Sequence, residues 1–434
     1  MKKKKKLLNS PTIYTVGVSI RLGIFMTFIL SLFSMGVQAQ DAQWRGPQRN
    51  GIYPDQGLLK GWPEGGPELI LKKEGLGKGF STPVMHGEMI YISGLRDDMD
   101  VLTKLDLNGE IQWETAYGER WEASFSDTRC TPTIEGDRIY ITSGMGTVVC
   151  MDTGTGSIVW EKNTHDMFEG EFHRWGMVES QLVTENAVIS SPIGSRSAVV
   201  ALDKNDGSVI WQTEPVSGDG ARSYTSPLLI THQGRELILV VSSAEMIAVQ
   251  PETGKLAWTY DLVTGFTGRD DRIMTNTPLF DNGEIFITNG YNDEAAMFSL
   301  PPDAGKPSLK YKNDVLDTHH GGVVLVDGYI YGSNWINNGN GNWVCLDWES
   351  GEVMYEEEWN NKGSIIFADG LLYIYEEKRG HVGLVEPTPE GFRVISSFRI
   401  EDGTGPYWAH PSIYDRKLLL RHGEVLFVYD ISAG

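Results

Sequence analysis

Four of the nine histidines (His173, His319, His320 and His410) lie in a set of predicted loops that, taken together, also contain arginine, tryptophan and tyrosine. Imidazole, guanidinium and ammonium groups bind anions and sugar hydroxyls, and aromatic side chains offer flat faces to a ligand. The sequence therefore predicts a pocket for a small polar molecule, either carbohydrate-like or anionic. The candidate binding residues are Arg129, His173, Arg174, Trp175, Glu179, Arg222, Tyr224, Arg272, Asn276, His319, His320, Lys362, Trp408 and His410.

These histidines do not predict a metal site. In an extended chain the consecutive residues His319 and His320 would point to opposite sides. No His-x3-His pair and no carboxylate-rich calcium loop accompanies them. No catalytic residue is assigned either, because the sequence has neither a Gly-x-Gly-x-x-Gly motif before a helix nor a serine nucleophile elbow.

A repeat that runs along the chain indicates which elements position the pocket. Asp152, Gly156 and Trp160 form the pattern Asp-x3-Gly-x3-Trp, and Asp203, Gly207 and Trp211 repeat it. Within each unit, short β-branched and aromatic runs alternate with Gly and Asp turns. About 45 residues with four short strands make the blade of a β-propeller. The repeated glycines are Gly109, Gly156, Gly207, Gly254, Gly305, Gly351 and Gly391.

The chain ends imply how the propeller closes. The last unit, residues 409–430, supplies three strands, and residues 66–73 read as an outer strand without a blade of its own. Pairing the two leaves no open sheet edge. The sequence therefore predicts an all-β, eight-bladed propeller of four-stranded antiparallel blades, closed by an N-terminal strand. The expected organisation is a leader at 1–39, an extension at 40–65 and one propeller domain at 66–434.

The innermost strand of each blade lines the axis, and ligands of propellers bind where those strands begin. Five units have a proline in the first strand (Pro83, Pro132, Pro227, Pro278 and Pro411), and aligning all units on this register places one residue of each blade at this position. We call these eight residues the axial ring. They mix basic, imidazole and aromatic side chains, as a ligand pocket would: Phe80, Arg129, Val178, Tyr224, Thr275, His320, Lys362 and Trp408.

The charge and the N-terminus restrict the setting. The 434 residues carry a net charge of −21, which disfavours nucleic acid as a partner. The N-terminus has the three parts of a cleavable signal peptide: the basic residues Lys2–Lys6, the apolar run 22–33 and the small-x-small cleavage site Val37-Gln38-Ala39. No cysteine stands at the cleavage site, so lipidation is not expected. The apolar run is too short for a membrane span. The sequence predicts a periplasmic or secreted protein that is not membrane-embedded.

The cysteines suggest no disulfide scaffold. The sequence after the leader has three cysteines, Cys130, Cys150 and Cys345. An odd number cannot all pair within one chain, and three are too few for a fold built on disulfides. Cys130 and Cys150 would bridge only if their strands were neighbours, and buried free thiols are the alternative.

The Leu-Asp-x3-Gly-x3-Trp units at 105–113 (one residue shorter), 202–211 and 346–355 (with Tyr in the last position) resemble the tryptophan-docking motif of the pyrroloquinoline quinone (PQQ)-like propeller superfamily. There the tryptophan of each outer strand packs on the next blade. Residues 43–47 resemble the start of its secreted polyvinyl-alcohol-dehydrogenase-like branch. The resemblance implies two alternatives to a binding protein. One is a quinoprotein alcohol or sugar dehydrogenase with PQQ and calcium, and the other is an outer-membrane protein assembly scaffold with an envelope protein partner.

Overall fold

The repeated units form eight four-stranded antiparallel blades, as the sequence predicts. The structure is a computed structural model that describes residues 42–172, 174–216, 224–265 and 273–434. Within these residues the only helices are two of four residues each, α1 (Thr164–Met167) and α2 (Leu262–Gly265). None of the described helices is long and apolar enough to cross a membrane.

Each blade is a meander that runs from an inner strand beside the axis to an outer strand at the rim. Blades 1 to 7 use consecutive strands, and blade 8 takes its outer strand from the N-terminal side of the chain. From inner to outer strand, blade 1 is β3 (Val84–His86), β4 (Met89–Arg96), β5 (Met99–Asp106) and β6 (Ile111–Glu119); blade 2 is β7 (Thr133–Glu135), β8 (Arg138–Thr142), β9 (Thr147–Asp152) and β10 (Ile158–Asn163); and blade 3 is β11 (Leu182–Val183), β12 (Ala187–Ser190), β13 (Val200–Asp203) and β14 (Val209–Gln212). Blade 4 is β15 (Leu228–His232), β16 (Arg235–Val241), β17 (Glu245–Val249) and β18 (Leu256–Asp261); blade 5 is β19 (Leu279–Asp281), β20 (Glu284–Ile287), β21 (Ala295–Ser299) and β22 (Ser308–Asn313); and blade 6 is β23 (Val323–Val326), β24 (Tyr329–Ser333), β25 (Trp343–Asp347) and β26 (Val353–Glu357). Blade 7 is β27 (Gly363–Ala368), β28 (Leu371–Glu376), β29 (His381–Glu386) and β30 (Arg393–Arg399), and blade 8 is β31 (Ser412–Tyr414), β32 (Lys417–His422), β33 (Val425–Asp430) and β2 (Glu68–Lys73).

The repeated tryptophan and glycine meet between blades. Gly156 has φ = 71°, and a Cβ atom there would lie 2.6 Å from the ring of Trp113 in the preceding blade. The motif needs glycine at this turn for both reasons. The outer-strand tryptophans also donate their indole N–H groups to backbone oxygens of the next blade, which confirms their predicted packing role. These hydrogen bonds are Trp113 to Thr153 (3.2 Å), Trp160 to Lys204 (2.9 Å), Trp211 to Pro251 (2.7 Å) and Trp258 to Ala304 (3.1 Å).

Strand β2 closes the ring of blades. It pairs antiparallel with β33, with Glu68 opposite Asp430 and Lys73 opposite Leu426. The register shifts between Leu69 and Leu71, as it does before Trp160 in β10. Leu71 thus stands where blades 1 to 4 have tryptophan, and its side chain lies against Gly109 of blade 1. The predicted closure is confirmed.

The segment before β2, residues 42–65, is part of the propeller. Its strand β1 (Ile52–Tyr53) pairs in parallel with the inner strand β27. Arg49 donates to the carbonyls of Ser180 (2.6 Å) and Gln181 (2.9 Å) in blade 3. The sequence suggested only an extension here, because the segment lies outside the repeat.

The cysteines are free, buried thiols. Cys130 and Cys150 are therefore not bridged, in agreement with the second of the two alternatives.

Candidate functional site

The axial ring gathers at one end of the propeller. Seven of its eight residues line a single cavity of about 650 Å³. The exception is Lys362, which is 1% exposed and donates from Nζ to the carbonyls of Asn337 (2.8 Å) and Asn340 (3.2 Å). The loops that lead into the inner strands form most of the wall. Because the strands alternate in direction, the loops between second and third strands open at the same end, and they add Tyr291, Asn338 and Lys378.

Aromatic side chains form much of the cavity wall. Trp408 contacts Phe80, Phe125 and His320 at ring-centroid distances of 5.0, 4.9 and 5.2 Å. Rings at these separations and tilts pack favourably and hold one another in place. The aromatic residues of the lining are Trp44, Phe80, Phe125, Trp175, Tyr224, Tyr291 and Trp408.

The charged side chains of the lining are all basic. Among the described residues that line the cavity, Arg129, Arg174 and Lys378 carry positive charge and none carries a carboxylate. Arg129 donates from Nη2 to the carbonyls of Ser124 (2.9 Å) and Phe125. The Arg174 guanidinium lies 5.5 Å from the ring centroid of Trp175. In a chain with a net charge of −21, this lining makes a local positive field.

A buried carboxylate lies beside two imidazoles at the edge of the cavity. Glu377 Oε2 is 3.5 Å from His319 Nδ1 and 3.5 Å from His320 Nε2, and Oε1 is 3.2 Å from Lys362 Nζ. Burial alone would raise the pKa of Glu377, but its interactions with His319, His320 and Lys362 lower it to about 2. Burial lowers the pKa of His320 well below its ordinary value. Lys362 and Lys378, whose Nζ lies 3.5 Å from Oε1, are the lysine partners of Glu377.

Three predicted binding residues turn away from the cavity. Lys362 is buried, and its ammonium group donates to loop carbonyls. Glu179 accepts hydrogen bonds from Gln181 Nε2 (2.9 Å) and Ser191 N (3.0 Å), and Asn276 donates to the carbonyl of Thr318 (2.8 Å). Glu179 and Asn276 each follow an axial-ring residue directly, and successive residues of an extended chain face opposite ways. The candidates that line the cavity are Arg129, Arg174, Trp175, Tyr224, His319, His320, Trp408 and His410.

His173, Arg222 and Arg272 lie outside the described residues. The expected divergence of His319 and His320 is wrong. The chain bends at His320, and the two ring centroids are 4.1 Å apart.

Sequence reasoning missed Trp44, Tyr291, Lys378 and Glu377. Glu377 directly follows β28, so it belongs to a loop between second and third strands. Counting strand directions would have placed that loop at the cavity. Trp44 carried no such signal, because residues 42–65 are not part of the repeat.

Comparisons with known proteins agree with this architecture. A model of the PQQ_2 family, described as outer membrane protein assembly factor BamB, matches residues 97–354, which is more than half of the chain. The chain is 23% identical over 275 residues to outer membrane protein assembly factor BamB of Yersinia pestis, a match that covers 61% of this chain and 65% of that protein. The chain spans less than two thirds of the length of the curated relatives that it matches.

Two solved structures show the same fold at low identity. BamB of Moraxella catarrhalis superposes with a TM-score of 0.60 and 14% identity, covering 84% of this chain and 99% of that one. The quinohemoprotein alcohol dehydrogenase of Comamonas testosteroni gives a TM-score of 0.62 and 13% identity, covering 89% and 79%.

Proposed function

The chain belongs to the PQQ_2 family, and from that premise we propose that it is a cell-envelope β-propeller whose central cavity binds a small anionic molecule with a sugar-like or planar body. The observation that carries this proposal is the lining itself. Arg129, Arg174 and Lys378 face the cavity, and no carboxylate does among the described residues. A strongly acidic protein that collects cations at one concave site attracts anions there.

The size and the aromatic wall favour a small molecule over a macromolecule. The volume of about 650 Å³ falls in the range of about 300–1,000 Å³ typical of small-molecule pockets. Trp175 and Trp408 offer flat faces on which a sugar ring or a planar ring system packs. Aromatic faces supply contact area, while the cations select for negative charge.

A matched pair of ligands tests the charge preference. Glucuronate and glucose share a sugar body and differ in one carboxylate, and PQQ without added metal serves as a planar anion. Calorimetric titration of the full chain should show at least one of the two anions binding at least about tenfold more tightly than glucose, with affinity falling as salt rises. If neither anion binds more tightly than glucose, the proposal is wrong.

Variants locate the binding. Arg174→Ala and Lys378→Ala should each weaken binding of the anion about five- to tenfold, as loss of a charged contact does. Arg393→Ala, an exposed outer-strand arginine with 52% side-chain exposure, is the matched control and should change nothing. An equal loss of anion affinity in all three variants would show that the anion binds outside the cavity.

The cell-envelope location rests on the leader at 1–39 and on relatives that are named for outer-membrane protein assembly. Fractionation of cells that express the full chain should recover a shortened protein outside the cytoplasm. Uncleaved protein in the cytoplasm would contradict this assignment.

The cofactor pair implied by the dehydrogenase relatives fits these residues poorly. Calcium prefers six to eight oxygen ligands. The ligating groups gathered at the cavity are two imidazoles and one carboxylate, and the nearby amide of Asn276 is already bonded to backbone groups.

A scaffold role in outer-membrane protein assembly is the second candidate, favoured by the description of the matching family. The rim supports it, because outer strands carry exposed apolar residues such as Ile158, Val159 and Ile210. Crosslinking in intact envelopes should join the chain to outer-membrane assembly proteins, and Ile210→Glu should reduce this. Ile336→Glu, which is equally exposed but lies away from the rim, is the control. Unchanged crosslinking in Ile210→Glu would contradict a rim-based scaffold.

A further inference from the structure

Two histidines of blade 6 and one glutamate of blade 7 converge at the edge of the cavity. His319 and His320 precede β23, and Glu377 follows β28. One ligating atom from each lies within 4.8 Å of the other two. We propose that these three side chains bind a divalent transition-metal ion of the zinc type, with its open coordination positions facing the cavity.

The separations match a metal site. Zinc–nitrogen and zinc–oxygen bonds of about 2.0–2.2 Å at tetrahedral angles place neighbouring ligand atoms about 3.3–3.5 Å apart. Glu377 Oε2 lies 3.5 Å from both His319 Nδ1 and His320 Nε2. That distance is longer than an ordinary nitrogen–oxygen hydrogen bond. Two of the three separations therefore match tetrahedral coordination, and all the ligating atoms of the group lie within 4.8 Å of one another.

The two nitrogens make no hydrogen bond of ordinary length. His319 Nδ1 and His320 Nε2 are buried, and among the described residues their polar contacts are the 3.5 Å separations from Glu377 Oε2. Buried polar atoms of this kind are rare, since each costs about 1–3 kcal/mol when left unpaired. An ion bound between them satisfies both lone pairs at once.

The surrounding contacts orient the three ligands. The Tyr291 hydroxyl lies 2.8 Å from the second nitrogen of His319, Nε2. Lys362 is 3.2 Å from Glu377 Oε1, so it holds the carboxylate with Oε2 towards the imidazoles. Outer partners of this kind fix ring tautomers and carboxylate rotation in metal sites. Tyr291 itself has φ = 73°, a backbone conformation that non-glycine residues rarely adopt and that is concentrated at functional sites.

The donor set selects the class of ion. Two imidazoles and one carboxylate suit zinc and its neighbours among divalent transition metals, whereas calcium and magnesium prefer oxygen ligands throughout. Three protein ligands leave coordination positions open. Because both histidines line the cavity, an oxygen of a bound molecule can occupy such a position. The metal site does not depend on the proposed organic ligand.

Metal titration of the full chain tests the site. Protein stripped with a chelator and then freed of it is titrated with Zn²⁺ by calorimetry and with Co²⁺ by visible absorption. We expect one ion per chain, a cobalt spectrum of low coordination number, and no heat with Ca²⁺. The double variant His319→Gln/His320→Gln should weaken Zn²⁺ binding about 100-fold or more. His381→Gln, a partly buried histidine on β29, should bind as the wild type does.

Thermal unfolding without metal checks that the variants fold. Should the double variant unfold early, Glu377→Gln provides a second test, because it keeps the shape of the side chain and removes the ligating charge. Zn²⁺ binding that persists at full affinity in a folded variant, or no one-to-one binding in the wild type, overturns the proposal. Organic-anion binding measured with chelator present is a separate readout, so the two proposals fail independently.

Discussion

Arg45 and the Nδ1 atom of His410 lie 3.3 Å apart, although the two residues are separated by 365 positions of chain. A guanidinium group only donates, so Nδ1 of His410 accepts and the ring proton is on Nε2. That nitrogen donates to the carbonyl of His320 (2.8 Å). Burial, together with the charge of Arg45, lowers the pKa of His410 to about 3. The segment before the first blade therefore holds a neutral imidazole in a fixed orientation against the cavity.

Replacement of Arg45 should destabilise the whole propeller. The side chain is buried and also donates to the carbonyls of Val323 (2.5 Å) and Ile365 (3.3 Å) in blades 6 and 7. Arg45→Met keeps the volume and leaves these acceptors unpaired, so the unfolding free energy measured in denaturant should fall by about 3 kcal/mol. Lys60 lies in the same N-terminal segment as Arg45, and its exposed side chain forms an ion pair with Asp369. Lys60→Met removes this pair and should lower the unfolding free energy by less than about 1 kcal/mol. Similar losses in both variants would show that the segment adds little beyond surface contacts.

The repeat predicted the blades, the closure and the inter-blade role of tryptophan, because each depends on local turn chemistry and strand period. It also placed the axial ring, since one anchor position fixes the register of every blade. It did not locate the contacts of Arg45 or Trp44, which lie in a segment without a repeat. These contacts join residues that are far apart in sequence, so no local sequence pattern predicts them.

The direction of single side chains at the cavity was harder to predict. Glu179 and Asn276 were assigned to the pocket by proximity in sequence, yet their side chains turn away from it and bond to neighbouring loop and strand residues. His319 and His320 were expected to diverge, but a bend at His320 brings their rings together. Glycines at positions 321 and 322 follow this bend, and a Cβ atom at Gly321 would lie 1.9 Å from the carbonyl oxygen of Gly363. The two consecutive glycines after His320 are the sequence signal that could have predicted this bend.

Leu71 should contribute to closure more than its neighbour Leu69. Leu71 is 9% exposed and packs in the cluster that joins blades 8 and 1, whereas Leu69 on the same strand is 46% exposed. Leu71→Ala should lower the unfolding free energy by about 2–3 kcal/mol, and Leu69→Ala by less than about 1 kcal/mol. Denaturant titration of the two variants measures the difference. Equal effects would mean that β2 does not close the ring through this contact.

The glycine of the repeat should be required for tryptophan docking. Gly156→Ala introduces a methyl group 2.6 Å from the ring of Trp113 at a φ of 71°. Gly234→Ala has a similar φ of 75° and no atom within 4 Å of the new methyl group, so it isolates the backbone cost. We expect a loss of about 1 kcal/mol at Gly234 and about 3 kcal/mol at Gly156. The docking role is contradicted if the two substitutions cost the same.

Glu179 should make stability depend on pH near neutrality. Burial raises the pKa of Glu179 from 4.5 to about 7. Between these values the unfolded chain loses the proton while the folded chain keeps it, so the contribution of this group to stability falls as pH rises. Above pH 7 the folded protein carries a buried carboxylate at a cost of roughly 3 kcal/mol.

Glu179→Gln removes this titration and leaves most of the packing in place. The hydroxyl of Ser191, which donates to Glu179 in the wild type, can rotate to accept from the new amide. The unfolding free energy of the variant minus that of the wild type should therefore rise by roughly 3 kcal/mol from pH 4 to pH 8. Glu252→Gln, at an exposed turn, is the matched control for the loss of a glutamate. A difference for Glu179→Gln that does not change with pH would mean that the carboxyl is ionised at no cost, with the buried Arg49 guanidinium as its counter-charge.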